Sequence, residues 1–178
     1  MGIVHAEGAQ IAFLDTPGLH KPDHLLNRRM VRAAVETLED ADVLYMLMEA
    51  TSRPGPGDLS AIKYMKEALA KQPRPVILVM TKIDLVNKHK MLPVLDQYAQ
   101  LFAWTEVVPV SAQVNDNVER LLAVTVPYLP SGEGVYGEDM VTDQTMRTLA
   151  AEMIREKVIQ ATEDEVPYAT AVEIDEFV

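Results

Sequence analysis

Four short stretches constrain the fold of this 178-residue chain most: Ile11–Leu14, Val43–Met48, Val76–Met80 and Val107–Val110. Each is almost continuously apolar. A strand with one wet face alternates apolar and polar residues, whereas an unbroken apolar run suits a strand covered on both faces. Between these runs the apolar residues recur at helical spacing. Leu26, Met30, Ala34 and Leu38 form one series, and Leu59, Ile62, Met65 and Leu69 a second with Asp58 as its expected cap. Leu92, Leu95, Tyr98 and Phe102 form a third, in which Pro93 is tolerable only in the first turn. Val118, Leu121, Leu122 and Val126 close the series behind a cap at Asn115 or Asp116. Strand and helix in alternation predict right-handed βαβ units, hence a three-layer α/β fold around a mostly parallel sheet.

Both ends depart from this rhythm. Gly2–His5, a turn at Glu7-Gly8 and Gln10–Leu14 read as an antiparallel hairpin leading into the first core strand. After Leu129, Pro130-Ser131-Gly132-Glu133-Gly134 has linker composition. A long amphipathic helix follows, capped by Thr142 or Asp143, with Met146, Leu149, Ala150, Met153, Ile154, Val158 and Ala161 as its stripe. Beyond Pro167, Tyr168–Ile174 alternates like a half-buried strand. One helix and one strand cannot close a domain, so the second unit reads as incomplete.

Composition removes several classes of function. The chain has no cysteine, which excludes disulfides and thiolate metal sites and is compatible with the cytosol. No apolar stretch approaches the roughly 18 residues that span a bilayer. The N-terminus lacks signal-peptide character, and Ala6 breaks the myristoylation pattern that Gly2 would begin. Net charge is −11, and residues 131–178 hold 12 acidic against 3 basic side chains. Phosphate contacts need Lys and Arg, so this segment is a poor binder of nucleic acid.

Two motifs carry chemistry. Asp15-Thr16-Pro17-Gly18 ends the first run and Thr81-Lys82-Ile83-Asp84 ends the third. A strand ending in Asp-x-x-Gly, followed later by one ending in [Asn/Thr]-Lys-x-Asp, marks a guanine-nucleotide site. Asp15 would hold Mg²⁺ through water, and Gly18 would let its N–H approach a γ-phosphate. Ordinary turn chemistry explains the same four residues equally well. The second motif is more specific. Guanine offers N–H donors on N1 and N2 along one edge, and the Asp84 carboxylate can accept both. The Lys82 stem can lie over the base while its ammonium stays wet. Thr81 stands where asparagine is commoner; a helix cap at Asp84 is the structural alternative. Ser111-Ala112 ends the fourth run, and the Ala112 N–H is the expected donor to guanine O6. Leu19 occupies the position of a water-orienting glutamine and cannot orient water. His20 is nearby, but a lone histidine is more often structural than catalytic. A phosphate-cradling Gly-x-x-x-x-Gly-Lys-[Ser/Thr] is expected upstream of Asp15, where only fourteen residues stand and none forms it.

Phe13-Leu14-Asp15-Thr16-Pro17-Gly18-Leu19-His20-Lys21-Pro22 resembles the Era family of bacterial GTPases. So do Tyr136-Gly137-Glu138-Asp139, Thr142-Asp143, Ala151–Lys157, Glu165-Val166-Pro167-Tyr168 and Ala171–Ile174. The resemblance implies a P-loop GTPase-like sheet without its phosphate-loop strand, followed by the first helix and strand of a KH-like RNA-binding domain. The implied division is a partial GTPase domain at 1–130, a linker at 131–143 and the start of the KH-like domain at 144–178. It implies GTP or GDP with Mg²⁺ as cofactors, 16S ribosomal RNA and the small ribosomal subunit as partners, and a role in assembling that subunit. It also implies a cytoplasmic location with peripheral contact at the inner membrane. The phosphate loop and the KH Gly-x-x-Gly clamp are expected to lie outside the chain, which reads as a fragment. Weak or no GTP binding follows, as do open sheet edges that invite oligomerisation. A non-catalytic ribosome- or protein-binding module, or an inactive fragment, is the alternative.

Overall fold

The computed structural model describes residues 1–6, 8–15, 40–162 and 170–175. Its centre is a parallel sheet of β3 (Leu44–Glu49), β4 (Val76–Thr81) and β5 (Glu106–Pro109), in the order β3-β4-β5. Helices α1 (Pro56–Lys71) and α2 (Lys88–Ala99) make the crossovers, and α3 (Val118–Thr125) follows β5. Strand β4 lies mid-sheet with Ile77, Leu78 and Met80 fully buried, as its unbroken apolar run requires.

The side chains of β3 and β4 alternate between two cores. Leu44, Met46, Met48, Val76, Leu78 and Met80 pack with Ile62 and Met65 of α1 and Tyr98 of α2. Ile77 and Val79 pack the other way, with Val108, Val110 and Val124. This is a three-layer α/β arrangement. Removing most of the Leu78 side chain leaves a cavity that dense surroundings cannot refill. Leu78→Ala is therefore expected to lower stability by about 2–5 kcal/mol, read from urea unfolding.

The first predicted core strand lies elsewhere. β1 (Gly2–Ala6) and β2 (Ala9–Phe13) form a separate two-stranded antiparallel sheet, with Gly2 opposite Phe13 and Ala6 opposite Ala9. Gly8, at φ +73°, supplies the left-handed conformation that so tight a turn needs. The antiparallel hairpin is the one expected from Gly2–His5 and Gln10–Leu14, but β2 does not join the parallel sheet as its first core strand. The hairpin occupies only one edge of β2. Among the described residues, β2 and β3 each keep one edge without a strand partner. A cleft of about 1210 Å³ lies between the two sheets, lined by Ile11, Phe13, Leu14, Leu44, Tyr45 and Leu47. The Phe13 and Tyr45 rings meet across it at 5.6 Å.

Several local expectations change. Gly55, not Asp58, is the N-cap of α1; Asp58 acts from the third helical position, accepting the Gly55 N–H at 2.8 Å and the Tyr98 hydroxyl at 3.0 Å. Pro93 sits inside α2 rather than in its first turn. It is exposed, so the carbonyl it leaves without an N–H partner can turn to water. Asn117, not Asn115 or Asp116, precedes α3. Thr145 caps α4 (Met146–Ala161), accepting from the Thr148 N–H at 3.2 Å. Thr142 and Asp143 instead reach back to Met1, at 2.7 Å and 3.0 Å. The chain around them is stitched to the hairpin: Ile3 N–H donates to Val141 at 2.8 Å, and Gln10 bonds the Tyr136 backbone twice. The stripe of α4 is not buried, and Met146 and Met153 are each 67% exposed. Residues 170–175 form no strand, because no described segment pairs with them. The series at Leu26–Leu38 lies outside the described residues.

Candidate functional site: the loops after β3, β4 and β5

Parallel strands deliver their following loops to one edge of the sheet, where α/β folds place ligands. Here β3 ends at Glu49, β4 at Thr81 and β5 at Pro109, with Glu49 opposite Thr81 and Met80 opposite Pro109. The Thr81 hydroxyl donates to the Met48 carbonyl at 3.2 Å, tying the β4 end to its neighbour. Threonine thus supplies a tether at the position where asparagine is commoner.

Lys82 then leaves the strand in the left-handed region, at φ 59° and ψ 36°. That conformation is costly for a side chain with a Cβ, and such residues gather at functional loops. It turns the chain into the short 3₁₀ turn Ile83–Leu85, closed by the Leu85 N–H on the Lys82 carbonyl at 3.1 Å. Asp84 lies within this turn and caps no helix, because Asn87 caps α2 by accepting from the Lys90 N–H at 3.0 Å. The Asp84 Oδ1 instead accepts the hydroxyl of buried Ser111 at 2.5 Å, within the range of a charge-assisted O–H···O⁻ bond. The carboxylate is otherwise exposed.

Ser111 is placed by β5. The Val110 N–H donates to the Met80 carbonyl at 2.7 Å, and Ser111 and Asp116 exchange backbone bonds at 3.0 and 2.9 Å. Asn115 and Asn117 accept positive φ, at 55° and 60°, and so let the loop return on itself. Asn117 Nδ2 fixes the return by donating to the Pro109 carbonyl at 3.0 Å. Ala112 is exposed, and among the described residues no hydrogen bond takes up its N–H. Ser111→Ala should cost about 1 kcal/mol in chemical denaturation, since water can replace only the exposed side of the Asp84 bond.

Thr81, Lys82, Asp84, Ser111 and Ala112 are thus gathered on two adjacent loops. Asp15 is not among them. It is exposed at the exit of β2 and lines the cleft between the sheets, which the two loops do not line. Gly18, Leu19 and His20 lie outside the described residues. Among the described residues no three acidic or histidine side chains converge as a metal site. The loops present an exposed carboxylate, an N–H that takes no hydrogen bond among the described residues, and a lysine stem. No Gly-x-x-x-x-Gly-Lys-[Ser/Thr] occurs in the sequence.

One residue went unnoticed in the sequence. Glu49 receives the Lys82 ammonium on Oε1 and the Thr51 hydroxyl on Oε2 at 3.2 Å. Those hydrogen bonds, Lys82 first, hold its carboxyl below the usual glutamate range. The pair is therefore present above that range and lost as pH falls through the lowered value. Carbon-detected NMR titration should give Glu49 a midpoint below the usual glutamate range, and Lys82→Ala should remove most of the lowering. The available signal was positional: a carboxylate directly after a predicted parallel strand.

Comparison with known proteins decides the lineage. A family model described as a 50S ribosome-binding GTPase matches residues 1–82. GTPase Era of Ruminiclostridium cellulolyticum is 38% identical over 176 residues, 99% of this chain. GTPase Era of Syntrophus aciditrophicus is 42% identical over 177 residues. The chain belongs to the Era family of GTPases. It spans 58% and 56% of the length of those two Era proteins. Among solved structures, Era in complex with MgGDPNP and nucleotides 1506–1542 of 16S ribosomal RNA superposes with TM-score 0.81 at 38% identity. That match covers 98% of this chain and 59% of that one. An Aquifex aeolicus Era variant bound to GDP·AlF4⁻ gives 0.80, also at 38% identity. The α/β class and the parallel sheet agree with these Era structures.

Proposed function

We propose that this chain carries the guanine-reading part of an Era-type GTPase that acts on small-subunit ribosomal RNA. The observation that carries the reading is the Ser111–Asp84 hydrogen bond. It fixes an exposed carboxylate beside the Lys82 stem and the unused Ala112 N–H. Asp84 accepts guanine N1–H and N2–H, Ala112 N–H donates to O6, and Lys82 covers one face of the base. Thr81 and Ser111 hold the two loops in place. Asp15 and Gly18 belong to the Mg²⁺ and γ-phosphate side of the same reading. GTP hydrolysis and small-subunit assembly belong to the whole Era-type protein, and the Era structure with MgGDPNP and 16S ribosomal RNA supports both partners. A cytoplasmic place with peripheral contact at the membrane rests on the family resemblance alone; no helix among the described residues is long and apolar enough to span a bilayer. Self-association through the free edges of β2 and β3 belongs to the proposal too.

Saturation-transfer NMR tests the base-reading claim. Transfer to the H8 proton of GMP, displaced by guanosine and not by adenosine, is the expected result. Equal transfer to AMP would refute it.

A further inference from the structure

We infer that Glu49 is a positioning residue for base recognition, its carboxylate anchoring the Lys82 ammonium so that the lysine stem is held ready as a platform. The inference rests on the guanine-reading proposal and adds to it a residue from a third loop. Its geometry comes from the sheet register. Glu49 stands opposite Thr81, which places its side chain one residue from Lys82. Both members of the pair are about half exposed, at 53% for Lys82 and 49% for Glu49. A surface ion pair of this kind adds little to fold stability, so stability does not account for the arrangement. A free lysine has four rotatable bonds to immobilise when a ligand arrives. Here the stem is fixed at both ends, by the left-handed backbone at Lys82 and by Glu49 at the ammonium. Glu49 is itself oriented by Thr51, and the Thr81 hydroxyl is already committed to Met48. Among the described residues, Lys82 is the cation paired with Glu49. Ordering the side chain before binding lowers the entropic cost of closing on a flat base.

The test is an NMR titration of the full 178-residue chain with GMP and AMP at low salt, for the wild type, Glu49→Gln and Glu49→Ala. Both variants should bind GMP about three- to fivefold more weakly. Preference for GMP over AMP should persist, because Asp84 is untouched, and the melting temperature should stay within a degree or two. Wild type and variants should converge in roughly 1 M salt, where the ion pair is screened. A merely structural role would move the melting temperature and leave the salt dependence of affinity unchanged. Equal GMP affinity for all three proteins at low salt, with guanine preference intact, overturns the inference and spares the proposed function. Failure of the wild type to prefer GMP over AMP overturns both.

Discussion

Asp84→Asn is expected to exchange guanine for xanthine as the preferred base. The Asp84 carboxylate only accepts hydrogen bonds, which matches the two N–H donors of guanine. Asparagine places one acceptor and one donor in the same volume. Its amide nitrogen then faces guanine N2–H, donor against donor, whereas xanthine offers an oxygen there. The loss for GMP should be about tenfold or more, because a charge-assisted bond is replaced by a repulsive pairing. XMP should gain correspondingly. Ser111 still donates to whichever oxygen remains, so the loop should hold and the melting temperature should change little. Competition NMR with GMP, XMP and AMP reads all three affinities. Parallel loss for every base would mean that Asp84 supports the loop and does not read an edge.

The second large effect concerns the phosphates. GTP with Mg²⁺ is expected to bind this chain less than about tenfold better than GMP does, and more weakly than about 1 µM. The triphosphate of a P-loop protein is held by backbone N–H groups and a lysine of one glycine-rich loop. No such sequence occurs in these 178 residues. Asp15 contributes a single carboxylate, and Mg²⁺ is ordinarily held jointly by one or two carboxylates and the phosphates. Calorimetric titration with GTP and Mg²⁺ reads the affinity directly. Sub-micromolar binding would show that another part of the chain cradles the phosphates.

How much was legible beforehand depended on whether a feature is local or needs a partner. Val76–Met80 announces a central strand because burial on both faces leaves no room for polar residues. Ile11–Leu14 announces a strand equally well, and its hairpin partner was legible from the turn residues, but apolar content does not name the neighbour on the other edge, and β2 stands outside the parallel sheet. Helix caps failed in a similar way. Asp58, Thr142 and Asp143 have capping side chains, yet Gly55 and Thr145 hold the positions because backbone dihedrals decide them. At the site, Thr81, Lys82, Asp84 and Ser111 were legible because the ends of parallel strands converge. Glu49 was not, since its partnership with Lys82 depends on the β3–β4 register, which no short motif encodes. The positive φ of Asn115 and Asn117 escaped notice for the related reason that asparagine also serves many ordinary turns.

The proposed guanine reader is formed by the loops after β4 and β5. Residue-resolved amide shifts of the ¹⁵N-labelled chain, titrated in parallel with GMP and AMP, test it most directly. Saturable shifts are expected at Lys82, Asp84 and Ala112 with GMP, and none of comparable size with AMP. Identical shifts for the two nucleotides, or GMP shifts confined to the cleft around Phe13 and Tyr45, would contradict it.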